Sequence, residues 1–506
     1  MNFTRPHIIS LASRNLFISI FLLIIGCKKE AISEEGLVAD TSNTSLDTDD
    51  TAISLEGELQ ISDFVWQGLN TYYYWQDELE YLADSKLEDE KTYAQYISQN
   101  PDPEEFFYSL LHPNDRFSWI QDDYVELENT LSGIYATNGV EFGLTYACQD
   151  CNEVVGYVQY ILEESDASTK NIKRGDFFTG VNGIQLTVGN YRSLLFGDEL
   201  SYTLNMAEIQ EGKLALNGID VQLTKEENFK TNPIQISKTI ETSSGKIGYL
   251  MYNQFVADAS LALNEIFGNF KSEGISDLVI DLRYNGGGSV NNCIELASMI
   301  TGQFTGKVFA KKKYNSRLLA YLEDRYGAES LVDLFVDELS SGESINSLAL
   351  DRVYILTGSS SASASELLIN SLSSYIEVIH IGETTVGKNV GSITVYDYID
   401  NDGTKNPDHT YAMQPIILKI ANSDDFADYD NGLEPNTAID EDIKNLGVLG
   451  DEKEALLGAA LSIISGTGKI ATFKSPYTSL KITDPLLQKR QGMYIDSAIP
   501  LAYGKR

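Results

Sequence analysis

The sequence predicts a multidomain chain: a small N-terminal helical domain, a β-rich domain, and a larger α/β layered domain. Three observations predict it. At 506 residues the chain is too long for one ordinary core. Its apolar content of 42%, with 29 Tyr and 20 Phe, is that of a folded globular protein. The hydrophobic period also changes twice, from helical spacing, to short β-favouring runs, to nearly all-apolar runs that alternate with helical stretches. The formal charge of -37 repels phosphate backbones, so no nucleic-acid partner is expected and the charge is read as a solvated surface.

The chain opens on a polar stretch carrying Arg5 and Arg14, followed by "LFISIFLLIIGC" over residues 16–27. This apolar run is short for a membrane span, which needs about 20 residues, and suits the core of a secretory signal. Ending in Gly26-Cys27, it resembles a bacterial lipoprotein box. That resemblance implies a signal peptide over 1–26, lipid on the Cys27 thiol, and anchorage in the bacterial cell envelope on the periplasmic side of the outer or inner membrane. Residues 27–57 are acidic, Ser/Thr-rich and free of aromatics, as a flexible tether would be.

Over 58–132 a helical domain is expected. Ile61, Phe64, Val65, Leu69 and Tyr72 recur at helical spacing. In "NPDPEEFFYSLL", Asp102 can cap, Pro103 suits a first turn, and Glu104 and Glu105 sit where the helix dipole favours acids. The aromatic run from Tyr72 to Trp75 reads as helix core and rim.

The β-rich domain is expected over 133–226. "VEFGLTYA" and "EVVGYVQYIL" are strand-like, and Asn182-Gly183 between two apolar runs is a hairpin signal. With "IKRGDFFTGVNG", this part resembles a PDZ domain of the kind found in bacterial processing proteases. The resemblance puts "EFGLTY" in the place of the carboxylate-binding loop and implies peptide binding at Phe142, Gly143 and Leu144, by exposed backbone N–H groups and strand addition. A PDZ-like fold that only spaces or regulates is the other reading. Cys148 and Cys151 read as a small structural loop, oxidised or not, and Cys293 as helix core.

The α/β domain is expected over 232–470, with strand-like runs such as "SDLVIDLRY" and "DRVYILTG" and helical stretches such as "SVNNCIELASMI" and "SASELLINSLSSY". Residues 471–506 show no periodicity, and no function is read into them.

Three motifs fall at strand ends in this domain. "DLRYNGGGS" carries Gly286, Gly287 and Gly288 after a strand, where a glycine run permits close backbone approach. "TGSSSASASELLINS" leads small hydroxyl residues into a helix, where a serine is ordinarily a cap. "GETTVGKNVGS" is a near miss to a phosphate-binding loop, because Asn389 stands where a magnesium-ligating hydroxyl belongs. Lys388 therefore needs another task. A serine hydroxyl needs a neighbouring base. None of the four His (His7, His112, His380, His409) stands in an obvious constellation with a serine, whereas a lysine serves if burial lowers its pKa toward roughly 7–8.

Together the motifs resemble the C-terminal processing peptidases, or tail-specific proteases. The run from Ser361 to Glu366 matches that family's Ser-Ala-Ser-Ala-Ser-Glu, which implies Ser363 as nucleophile. Gly387-Lys388, with Lys388 25 residues downstream of Ser363, implies Lys388 as general base. "DLRYNGGG" implies an oxyanion donor at Gly287, alongside the backbone of Ala364, and "NGLEPN" resembles the family's Gly-x-x-Pro-Asp ending. Where the family usually has Gln, this chain has Ser392, a possible orienting residue for the amine. The resemblance spans most of residues 58–465 and implies a crotonase/ClpP-like catalytic domain. It also implies a lipid-anchored serine endopeptidase that cleaves exported or unfolded proteins, possibly near their C-termini, through an acyl-enzyme. No cofactor and no metal is expected, and the partners are protein or peptide substrates and, through the lipid, a membrane. "DYIDNDGTKNPDH" reads as a polar hairpin rather than a calcium loop, since Tyr398 and His409 fall on ligand positions. The alternative function is a catalytically weak or inactive binder of peptides or hydrophobic ligands on the same fold.

Overall fold

The computed structural model describes residues 53–467 apart from 149, 211, 212 and 401, together with 473–475, 492–496 and 499. The expected signal peptide, Cys27 and most of the tether lie outside the described residues. Among the described residues no helix is long and apolar enough to cross a membrane.

A six-stranded sheet organises the α/β part. Its strands run in the order Ile234–Thr242, Gly245–Tyr252, Asp277–Asp281, Arg352–Thr357, Glu377–Gly382 and Thr437–Ala438. The first pair is antiparallel and the others are parallel. Parallel strands need both faces covered, and side chains alternate between faces along each strand. Accordingly Ile247, Tyr249, Met251, Val279 and Leu356 pack with Leu456, Leu457 and Ala460 of the helix Ala455–Ile464. Leu250, Tyr252, Ile280 and Ile355 face the other way. There they share a core with the helices Ser260–Glu273, Val290–Ile300 and Ala364–Ser373. Cys293 is buried in the second of these and its thiol is pushed up by burial. A four-stranded antiparallel sheet (Val332–Leu334, Val308–Tyr314, Ile416–Ala421, Val390–Ser392) lies beside this core.

One N-terminal helix starts at the cap the sequence predicts. The Asp102 carboxylate accepts the N–H groups of Glu104 and Glu105 at 3.0 Å, and Pro103 opens the helix Pro103–Ser109. The helix Glu58–Tyr72 buries Phe64, Val65, Trp66 and Leu69 in the same core as the α/β part, so the apolar faces of this segment join the larger unit. Tyr73 donates to Asp115, and Trp75 stacks on His112.

The β-rich part has its own apolar cluster, including Leu144, Val158, Phe178 and Leu204. Its strands run Val140–Tyr146, Val154–Ile161, Phe177–Val181, Ser201–Gln210 and Lys213–Thr224, with Ile184–Gln185 pairing the third. Asn182 and Gly183 both take positive φ, as the tight turn between Phe177–Val181 and Ile184–Gln185 requires. The expected loop at Phe142, Gly143 and Leu144 is a correction. These residues are mid-strand, with Gly143 opposite Tyr157 and Leu144 opposite Gly156, because the backbone ladder to Val154–Ile161 holds them extended. The strand is an edge of its sheet. Cys148 and Cys151 are joined as a disulfide.

Candidate active site

The glycine-run segment after the strand Asp277–Asp281 and the serine run after Arg352–Thr357 lie side by side. Ser361 Oγ donates to Leu282 O at 2.7 Å, Ser360 Oγ to Arg283 O at 3.1 Å, and Ser365 Oγ to Asn285 O at 3.0 Å. Three serines of the run therefore stitch the two segments together. Ser363 does not: among the described residues its buried hydroxyl has no hydrogen-bond partner. It stands at the head of Ala364–Ser373 with φ 63°, a conformation rare for a residue with a side chain and one that holds stored strain. Gly287 packs directly on it, since a Cβ there would lie 2.7 Å from Ser363 Cβ and 3.0 Å from Ala364 N. The Ala364 N–H, in the first helical turn, has no acceptor among the described residues. The Gly287 N–H donates to Asn285 Oδ1 at 2.8 Å.

Lys388 is buried, and burial lowers its amine from 10.5 to about 8. The Asp115 and Glu366 carboxylates work against that shift, and Arg116 adds to it. The amine lies 4.8 Å from the centroid of the Phe117 ring. Arg116 fastens this N-terminal loop to the lysine's own loop by donating to Val386 O and Asp430 O, both at 3.2 Å. Asn389, the residue that spoiled the phosphate-loop pattern, donates to Ala427 O at 2.6 Å and to Asp430 at 3.1 Å. It holds the segment that leads into the "NGLEPN" loop.

Sequence reasoning gave no task to Glu366. Its carboxylate is wholly buried and accepts the N–H groups of Ser363 at 2.7 Å, Gly387 at 2.6 Å and Lys388 at 2.8 Å, together with the Thr385 hydroxyl. Desolvation raises its pKa against the pull of those donors. The acid three residues into a helix was a visible capping signal; that its other donors come from the lysine loop was not. Phe117, Asp115 and Arg116 left no signal, because nothing local marks a loop that packs on residues far along the chain.

The Ser392 hydroxyl donates to Met493 O at 3.3 Å. The described histidines are engaged elsewhere. His380 shares a hydrogen bond with Thr357 Oγ1, and burial holds it down to about 4. His409 pairs with Asp397. Asp400 accepts the N–H groups of Asp402 and Thr404 within a hairpin closed by Ile399 and Thr404, which uses the carboxylate locally.

A second buried cluster supports the glycine run. Arg283, fully buried, donates to Asp281, Glu454 and Glu441. Arg174 of the β-rich part reaches the same Glu441 at 2.7 Å and donates to Tyr284 Oη at 2.6 Å, clamping that part onto the α/β sheet.

The model of peptidase family S41 matches residues 246–412, and that of the peptidase S41 N-terminal domain matches residues 60–119. Residues 60–119 and 246–412 thus match the two domains of peptidase family S41. Among curated relatives, a probable CtpA-like serine protease of Staphylococcus aureus (strain N315) is 25% identical over 272 residues, covering 54% of this chain and 49% of that one. A carboxyl-terminal-processing protease of Picosynechococcus sp. is 24% identical over 253 residues, covering 50% of this chain and 52% of that one. The chain thus spans about half the length of the curated relatives it matches. A solved structure from Bacteroides fragilis NCTC 9343, assigned to the S41 proteases, superposes with a TM-score of 0.60 at 22% identity, over 80% of this chain and 98% of the other. It has the same fold.

Proposed function

We propose that the chain is a serine endopeptidase working through a Ser363/Lys388 dyad and an acyl-enzyme. One observation carries this reading: a strained, buried serine whose hydroxyl has no hydrogen-bond partner among the described residues and a buried lysine of depressed pKa have their backbones tied to one carboxylate oxygen, Oε2 of Glu366. The neutral Lys388 amine takes the proton of Ser363 Oγ as that oxygen attacks the scissile carbonyl. The oxyanion is held by the Ala364 N–H at the helix N-terminus and by Gly287, whose N–H must then be shared with or released by Asn285. Lys388 returns the proton to the leaving amine, and water, deprotonated by the same lysine, hydrolyses the ester.

The expected substrates are exported or unfolded proteins, cut near their C-termini, as the name of the Picosynechococcus relative suggests. The edge strand carrying Phe142, Gly143 and Leu144 suits recruitment of a peptide by strand addition, which supports a PDZ-like role. Lipid on Cys27 would hold the enzyme in the bacterial cell envelope. The binder reading draws on Ser392, whose hydroxyl is turned to Met493, and on the engaged Gly287 N–H.

Hydrolysis of dye-labelled casein by the chain starting at Lys28 is the test, beside Ser363→Ala and Lys388→Ala. Cleavage by the parent alone supports the dyad. Cleavage by Lys388→Ala at the parent's rate sinks it, and an inert parent that still binds peptide points to the binder.

A further inference from the structure

Residues 492–496 form a segment, bridged at Tyr494, between two edges that both lead to the dyad. On one side the Tyr494 N–H donates to Gly288 O at 3.1 Å, and the Val290 N–H donates to Tyr494 O at 3.0 Å. On the other, the Ser392 N–H donates to Met493 O and the Ile495 N–H to Ser392 O, both at 3.0 Å. Tyr494 is thereby paired in parallel with Ser289 and Ser392 at once. The first edge follows directly from Gly287, which packs on Ser363. The second begins two residues after Lys388. At the head of the segment, a Cβ on Gly492 would lie 2.6 Å from Lys388 Nζ.

Side chains fix the segment further. Met493 is completely buried. The Asp496 carboxylate accepts the Ser289 hydroxyl at 2.7 Å and the Asn291 N–H at 3.3 Å, and Tyr494 Oη donates to Leu131 O at 3.1 Å. Such pairing is how an extended peptide is taken into a sheet: main-chain bonds on the edges supply affinity, and alternate side chains supply selectivity.

We propose that residues 492–496 are the resident occupant of the substrate slot, a pseudosubstrate strand that keeps other polypeptides from Ser363 and Lys388 until it is displaced. The proposal rests on reading those two residues as a peptidase dyad. Both slot edges have their central backbone groups satisfied by this segment, so an incoming chain cannot pair there while it remains. Because the occupant is tethered, its effective concentration is of millimolar order, far above that of a typical free substrate. The occupant also reports what the slot accepts. A glycine sits beside the lysine amine, a long unbranched apolar chain follows in a dry site, then an aromatic, a β-branched residue, and an acid at Ser289. Substrates with that pattern in extended chain are the class the slot fits.

Two variants release the occupant in different ways. Tyr494→Pro removes the N–H that bonds Gly288, and Gly492→Val puts methyl groups where the Lys388 amine lies. If the slot is filled more than nine-tenths of the time, release raises casein hydrolysis at least about tenfold. A synthetic peptide of residues 490–499 added to Tyr494→Pro should restore inhibition. The same peptide, dye-labelled, should bind the Ser363→Ala/Tyr494→Pro double variant and not Ser363→Ala alone. Binding needs no catalysis, so peptide capture with no cleavage by any form would uphold the slot while removing the peptidase reading. Should Tyr494→Pro fail to fold by thermal melting, Gly492→Val decides. A folded release variant that cleaves casein no faster than an active parent, with no binding or inhibition by the peptide, overturns the proposal.

Discussion

Glu366 accepts the backbone N–H of Lys388 at 2.8 Å with the same carboxylate oxygen that accepts the Ser363 N–H at 2.7 Å. The backbones of the nucleophile and base candidates are thereby held by one buried group on the helix Ala364–Ser373. An amide cannot replace it, because one of its two ends would present N–H to N–H. Glu366→Gln is expected to lower kcat about 100-fold through misplacement of the pair while KM changes little. Steady-state kinetics with a peptide substrate check the split. Because an unfolded fraction would also lower apparent kcat at constant KM, a thermal melt must show the variant folded at the assay temperature; a variant that is unfolded there would mark a merely structural role.

The pH profile should carry the signature of Lys388. Below its value of about 8 the amine is protonated and cannot accept the Ser363 proton, so kcat/KM is expected to climb with pH and level off above that midpoint. The sign for stability follows from the same shift. The folded pKa lies below the ordinary 10.5, so between about pH 8 and 10.5 the unfolded chain holds more protons than the folded one. Stability from this group therefore rises with pH across that window. Lys388→Met should melt higher than the parent at pH 7, and the gain should fade as pH approaches 10.5.

Much of this arrangement was legible from local pattern and some of it could not be. The serine run announces a helix start, and the helix does begin at Ala364. Asn182-Gly183 announces a tight turn, and both residues take the positive φ it needs. The periodicity of the helix Glu58–Tyr72 was plain, but period alone does not say against which core a face packs; here it is that of the α/β part. Phe117 over the lysine amine depends on a fold-level approach of distant segments. Residues 492–496 were silent for a different reason: their position is held largely by main-chain N–H and C=O groups, which every sequence carries alike.

Strain at the nucleophile position predicts a trade between stability and activity. Ser363 holds φ 63° and ψ -112°, a region costing of order 1–3 kcal/mol for a residue with a Cβ and little for glycine. Glycine gives back about 0.5–1 kcal/mol through its freer unfolded chain. Ser363→Gly should therefore abolish hydrolysis yet unfold at a higher denaturant concentration, by about 1 kcal/mol in net stability. Equilibrium unfolding in urea measures it. A destabilised Ser363→Gly would mean that the surroundings do not impose the strain.

A buried charge cluster beneath the glycine run contributes to stability. Arg283 is fully buried and bonded to Asp281 at 2.8 Å and to Glu454 at 2.8 and 3.0 Å. Burial alone would push the Glu454 carboxyl up, but Arg283 beside it holds it below the usual range. Taking away the guanidinium leaves those carboxylates in a dry interior with no cation, and breaking a buried pair in this way costs about 3–5 kcal/mol. Arg283→Met is expected to lose that much in urea unfolding at pH 7 and to lose less near pH 5, where protonation can neutralise the stranded Glu454 carboxylate. The reverse pH trend would show that the carboxylates find other partners. Because Ser360 and Ser361 hang from the carbonyls of Arg283 and Leu282, activity should fall with the loss of order in this loop even where the variant remains folded.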